Sequence, residues 1–237
     1  MVSLGPRRHE LWRRILELRR SGRPWSLTQA LCDLTEHVLD IDAAAISLHP
    51  GRNRCDLAAA SNSLASTLEE LQYTTGEGPG TDAVRSGGDV LVANLADLRW
   101  RWPLFLEPAL RRGTSAIFAF PLPSASGSPI ATLTLYRLRP GPLPARDETV
   151  TTVLRYLGNR ALYEDFSMLG ADDTTTTESK GWPGHFQAAH TASGILAIQQ
   201  RVDVETAMVL LRARAMSSDR PLLELADHVC THSTMPD

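Results

Sequence analysis

Apolar residues recur at helical spacing near both ends of this chain and alternate strand-fashion through its middle. In residues 1–22, Leu11, Ile15 and Leu18 share one face with Trp12 and Leu16 beside them, which predicts an amphipathic helix before the break at Ser21-Gly22-Arg23-Pro24. A second helix is predicted from Ser26 or Leu27 to Leu39, with Leu27, Leu31, Leu34 and Val38 as its stripe. Ala43 to Leu48 and Cys55 to Ala60 then read as short strands about a turn-rich His49-Pro50-Gly51-Arg52-Asn53. Leu64 to Tyr73 reads as helix, and Val90 to Ala93 resumes strand. Ser115 to Pro121 and Pro129 to Arg137 form a predicted hairpin, in which Thr132, Thr134 and Tyr136 alternate with Leu133 and Leu135. A long amphipathic helix from Arg146 to Phe166 closes the segment through Val150, Val153, Leu154, Leu157, Ala161 and Leu162. An antiparallel sheet with helices gathered on one side would bury these stripes, giving an α+β sensory-type domain over 23–166.

Residues 167–184 carry no periodicity, and with Thr174 to Thr177 and Gly181-Trp182-Pro183-Gly184 they read as a polar linker. Three short helical segments follow over 185–237. The first, from about Phe186 to Gln200, holds Ile195 and Leu196 beside Gly194; the second steps through Val204, Ala207, Leu211 and Ala215. Asp203 is placed as the second segment's N-cap. The third opens at Asp219-Arg220-Pro221, where a capping carboxylate precedes a proline suited to a helix's first turn, and continues through Leu222, Leu225, Ala226 and Val229. Each segment is near or below the roughly 12–15 residues at which an isolated helix becomes marginal, so the three must pack on one another as an all-α bundle.

Composition narrows the classes. With 237 residues, 43% hydrophobic and 22% charged, the chain fits two small globular domains and a linker. No apolar run approaches a membrane span and the N-terminus lacks a secretory pattern, so a cytoplasmic location without membrane attachment is expected. Cys32, Cys55 and Cys230 show no metal-type spacing and are expected to be free thiols. The overall charge of −3 is unevenly spread: residues 1–23 hold seven arginines against Glu10 and Glu17, whereas 185–237 hold four arginines against six acids.

The C-terminal pattern of Gly194-Ile195-Leu196, Ala207, Leu211-Arg212 and Ala215, then Leu222 and Ala226, resembles the ANTAR domain of bacterial transcription antiterminators. Thr191 and Ser193 stand where that family has glutamine and lysine, and Ala197 where it has methionine. Between Tyr73 and Leu122 the chain resembles a GAF domain, carried by Thr75-Gly76-Glu77-Gly78-Pro79-Gly80, Asp82-Ala83, Asn94-Leu95, Trp102-Pro103, Ala109, Gly113 and Phe120-Pro121-Leu122. The two resemblances imply a GAF-type antiparallel sheet with helices on one side, followed by a three-helix ANTAR bundle. They imply a non-enzymatic regulator that binds tandem stem-loops in nascent mRNA and is modulated through an unidentified small-molecule ligand or through dimer geometry. Homodimerisation through the N-terminal helix, the long helix ending near Phe166, or both would present two bundles to two loops.

Candidate site residues follow. For RNA they are Ser193, Gly194, Arg201, Arg212, Arg214 and Arg220, since guanidinium groups suit phosphate and stack on unpaired bases. Arg212 equally suits packing on the third helix or pairing with Glu224 or Asp227, and Gly194 suits either close helix packing or close approach of RNA. For the GAF ligand they are Tyr73, Gly76, Glu77, Gly78 and Asp82. Here too a second role is open: the glycines suit a tight turn, and Asp82 suits the N-cap of the helix holding Ala83. Trp100 and Trp102 about Arg101 suit a stacking platform or, for Trp102, a core plug. No catalytic triad, zinc spacing or dinucleotide fingerprint appears, and no cofactor is expected. The competing expectation is a GAF sensor without RNA binding, whose acidic C-terminal helices serve dimerisation or docking of a protein partner.

Overall fold

A computed structural model of the chain describes residues 4–22, 26–51, 54–98, 100–124, 127–171, 184–218 and 220–236. It divides into two compact units, Met1–Trp182 and Pro183–Asp237. The Asp219 cap and residues 172–183 of the linker expected over 167–184 lie outside the described residues, whereas 167–171 are helical.

The first unit is built on a five-stranded antiparallel sheet. Its strands are β1 (Ala43–Gly51), β2 (Arg54–Ala60), β3 (Val90–Val92), β4 (Ala116–Pro123) and β5 (Pro129–Arg137), in the order β2-β1-β5-β4-β3. Strand periodicity sends alternate residues to opposite faces. Register therefore sets Ile46, Leu133 and Phe120 side by side on one face, flanked by Ala44-Leu135-Phe118 and Leu48-Ala131-Leu122. Three helices cover that layer: α1 (Leu4–Arg20), α2 (Leu27–Val38) and α6 (Ala145–Ala171). Gly158 lets α6 sit close to the sheet, because a Cβ there would lie 3.3 Å from Leu122 Cδ1. Asp165 of α6 in turn accepts from the Leu27 and Thr28 backbone N–H groups at 2.9 Å, so a buried carboxylate satisfies orphan donors at the start of α2.

The opposite face is covered as well, which corrects the expectation of helices on one side. Helices α3 (Ser63–Thr75) and α4 (Pro79–Ser86) pack there, and α5 (Pro103–Arg111) packs on α3. This is why Thr132, Thr134 and Tyr136, the polar half of the β5 alternation, are fully buried along with its leucines. The alternation of β5 therefore marks a buried polar face and not a solvent-facing one.

The second unit consists of α7 (Gln187–Gln200), α8 (Val204–Ser218) and α9 (Leu222–His232), each packed on the other two. Its core is Phe186, Ala189, Leu196, Ala207, Leu211, Ala215, Leu222, Leu225 and Val229. Asp203 caps α8, accepting from the Thr206 backbone N–H and hydroxyl at 2.8 Å each. Pro221 stands immediately before α9 as its N-cap residue, one position earlier than the first-turn placement expected.

Candidate functional site

The face of the sheet under α3 and α4 holds a buried polar cluster. Ser47 from β1 and Tyr136 from β5 both donate to the Glu69 carboxylate of α3, at 2.7 and 2.6 Å. Gln72, one turn further along α3, donates to the Tyr136 hydroxyl at 3.0 Å and accepts from the Gly80 backbone N–H at 2.8 Å. Burial pushes the Glu69 carboxyl above its ordinary range, partly offset by the hydrogen bonds from Tyr136 and Ser47. Burial and the neighbouring Glu69 push the Tyr136 hydroxyl well up. Beside the cluster, desolvation holds the partly buried His49 down to about 4.

The glycine-rich loop serves this cluster. Gly76 ends α3 in the left-handed conformation with φ 71, the ordinary C-terminal use of glycine. Gly78 begins α4 at φ 144, and a Cβ there would stand 2.4 Å from Gln72 Oε1. The two acids of the loop are engaged in the approach to α5. Glu77 Oε1 accepts from the Leu104 and Phe105 backbone N–H groups at 2.5 and 3.2 Å, capping that helix. Asp82 lies in the first turn of α4 and not at its N-cap, which is Gly78. Its carboxylate accepts from Trp102 Nε1 at 3.0 Å and pairs with Arg101 at 3.0 Å. That contact helps hold Trp102 at φ 57, with the Arg101 guanidinium 4.5 Å above its ring.

The expected ligand residues thus fall into two groups. Tyr73 is buried, while Gly76, Glu77, Gly78 and Asp82 form a clamp joining α3, α4 and α5. Trp102 is a core residue, whereas Trp100 is 97% exposed, so the two do not form a common stacking platform. Ser47, Glu69, Gln72 and Tyr136 escaped sequence reasoning. The detectable signal was a Glu and a Gln one turn apart on the helix that packs on the sheet.

In the second unit, Ser193 is fully buried and its hydroxyl donates to the His190 carbonyl at 2.8 Å. It is therefore removed from the RNA-facing set, because the hydroxyl closes α7 locally and reaches no surface. Gly194 stands in open space, with nothing within 4 Å of where a Cβ would lie, so close helix packing does not explain it. Arg201, exposed, ends α7 in the left-handed conformation. Arg212 is half-buried; Arg214 Nε donates to the Pro236 carbonyl at 3.0 Å, and Arg220 pairs with Glu224 at 2.9 Å. Two of these arginines are thus spent on the chain's own carbonyl and carboxylate groups.

The GAF domain family matches residues 26–163, more than half of the chain. The chain belongs to that family, and its first unit is a GAF sensor domain with the five-stranded sheet described above. Among solved structures, a domain of a sensor histidine kinase protein of Sinorhizobium meliloti is 19% identical, with TM-score 0.50, covering 62% of this chain and 96% of that one. A GAF domain region of a Geobacter sulfurreducens membrane protein is 16% identical, with TM-score 0.48, covering 65% and 99%. A free methionine-R-sulfoxide reductase of Thermoplasma acidophilum is 17% identical, with TM-score 0.47, covering 64% and 96%. No curated protein matches the chain. Among the described residues, no helix is long and apolar enough to cross a membrane, and no group of three or more His, Cys, Asp or Glu side chains could hold a metal. Cys32 is buried, which pushes its thiol well above the ordinary value and away from the reactive thiolate form.

Proposed function

We propose that the chain is a cytoplasmic regulator in which the GAF domain governs an RNA-binding output unit formed by α7, α8 and α9. The observation that carries this reading is Gly194. Glycine in a helix interior costs about 1 kcal/mol relative to alanine, and no neighbour among the described residues requires it. A contact from outside does explain it, since a bare backbone admits a phosphate or sugar more closely than any side chain would. Arg201, exposed at the C-cap seven residues further on, supplies a cation at the end of the same helix. The partner is a pair of small stem-loops in nascent mRNA, with ANTAR-type antitermination as the consequence. A homodimer brings two output units to the two loops; Tyr156, Tyr163 and Phe166, 50, 74 and 42% exposed on α6, offer the aromatic surface for pairing. No reaction is catalysed.

A second reading has its own observation. Ile198, Val204 and Val209 are 82, 54 and 60% exposed on the same three-helix unit, whose charged residues are on balance acidic. A unit that leaves such apolar side chains exposed suits docking of a protein partner. Titrating the full chain against a tandem-hairpin RNA, a single hairpin and a scrambled strand separates the two. RNA output requires preference for the tandem hairpin and an affinity that falls steeply with salt. Equal, weak binding to all three RNAs refutes it and leaves the protein-docking reading.

A further inference from the structure

The polar groups under α3 and α4 are largely satisfied by one another, yet on the other face of the same sheet a cleft of about 470 Å³ opens between β3 and the first half of α6. Leu91 of β3 pairs across the sheet with Phe118 of β4, so both belong to the α6 side. Phe118 and Phe120 are nearly inaccessible and form the apolar floor, while Leu91 is 58% exposed at the mouth and Leu143 closes the end. The volume falls in the range of small-molecule sites, and a mostly apolar lining with a few placed charges is their usual character.

The charges indicate which molecule fits. Arg155 is already engaged: it pairs with Asp89 at 3.0 Å, donates to the Pro121 carbonyl at 3.3 Å, and lies 5.3 Å from the Phe120 ring centroid. Glu148 lines the cleft two turns earlier on α6, about 10 Å along the helix axis from Arg155. The cleft thus holds two carboxylates and one guanidinium, and the guanidinium is matched by Asp89. A ligand bringing a positive charge to Glu148 and an apolar body to the phenylalanine floor completes both features, and a cation is also favoured near aromatic rings.

We propose that this cleft binds a small amphipathic monocation, an organic ammonium carrying an aromatic or branched apolar group, and that it is an effector site of the GAF domain. The proposal stands independently of RNA output, because every residue involved belongs to the first unit.

Isothermal titration of the full chain with 2-phenylethylammonium tests it, with 2-phenylethanol and 3-phenylpropionate as neutral and anionic matches. The amine is expected to bind at least several-fold more tightly than either. Glu148→Gln is expected to weaken it roughly three- to tenfold, the range for loss of one partly exposed charge-assisted contact. Leu91→Lys, a change at an exposed side chain, is expected to weaken it likewise by placing a like charge at the mouth. Absence of amine binding at millimolar concentration, equal binding of the carboxylate, or unchanged amine affinity in either variant overturns the proposal.

Discussion

Replacing Gly78 by alanine tests whether the glycine-rich loop is a structural clamp. The backbone there sits at φ 144 and ψ 173, a region that side chains of L-residues avoid, at a cost of about 1–3 kcal/mol. The added methyl would also stand 2.4 Å from Gln72 Oε1, 2.6 Å from its Cγ and 2.9 Å from its Cδ. Gln72 must then swing away and release the Gly80 N–H, which it holds at 2.8 Å. An orphaned buried donor costs about 1–3 kcal/mol more. The sum is about 2–6 kcal/mol, or on the order of 10 °C in melting temperature for a unit of this size. Scanning calorimetry of the full chain, following the transition of the first unit, reads that shift. In a Gln72→Ala background the steric part disappears and only backbone strain remains, so the same glycine change should cost distinctly less. A melting shift below about 2 °C for Gly78→Ala would refute the reasoning, since it is less than about 1 kcal/mol allows. An equal cost in the two backgrounds would refute the assigned role of Gln72.

Gly194→Ala should act in the opposite direction on the second unit, raising its stability by about 1 kcal/mol in thermal unfolding, because the methyl meets nothing and alanine favours helix. Glu69→Gln should gain relative to the parent as pH rises. A carboxyl whose folded value is raised contributes stability below its unfolded value near 4.5 and loses it as pH climbs through the folded value, so urea titrations across that interval should show the difference widening in favour of glutamine. Asp203 behaves inversely. Hydrogen bonds from Thr206 hold its carboxyl below the ordinary 3.8, so the contribution of this cap to α8 should be present above that pH and vanish as pH falls through the lowered value, an effect Asp203→Ala abolishes in helicity measurements.

Much of the architecture was legible in local patterns. The α2 stripe, the β4 and β5 hairpin and the three C-terminal segments are marked by periodicity and by caps such as Asp203. What local pattern could not convey was two-sided coverage of the sheet. Thr132, Thr134 and Tyr136 read as one half of the β5 alternation, yet α3 and α4 bury them and bring Tyr136 and Thr134 against Glu69. Helix α5 was hidden because its N-cap is Trp102 in the left-handed conformation and Pro108 lies within it; neither is an ordinary helix signal. At the site, the GAF-like run from Thr75 to Ala83 marked Glu77 and Asp82 as ligand candidates, whereas their contacts with the α5 backbone and Trp102 depend on tertiary placement. Ser193 shows the same limit in the bundle: its place in the ANTAR-like pattern marked it as a candidate for RNA, but its hydroxyl turns inward.

The RNA output is tested most directly by capturing the cellular RNA that copurifies with the full chain and sequencing it, in parallel with a variant carrying Gly194→Ala, Arg201→Ala and Arg212→Ala. The account predicts enrichment of transcripts with two small stem-loops ahead of a terminator hairpin, and loss of that enrichment in the variant. Recovery of RNA without such structures, or equal recovery by the variant, would contradict it.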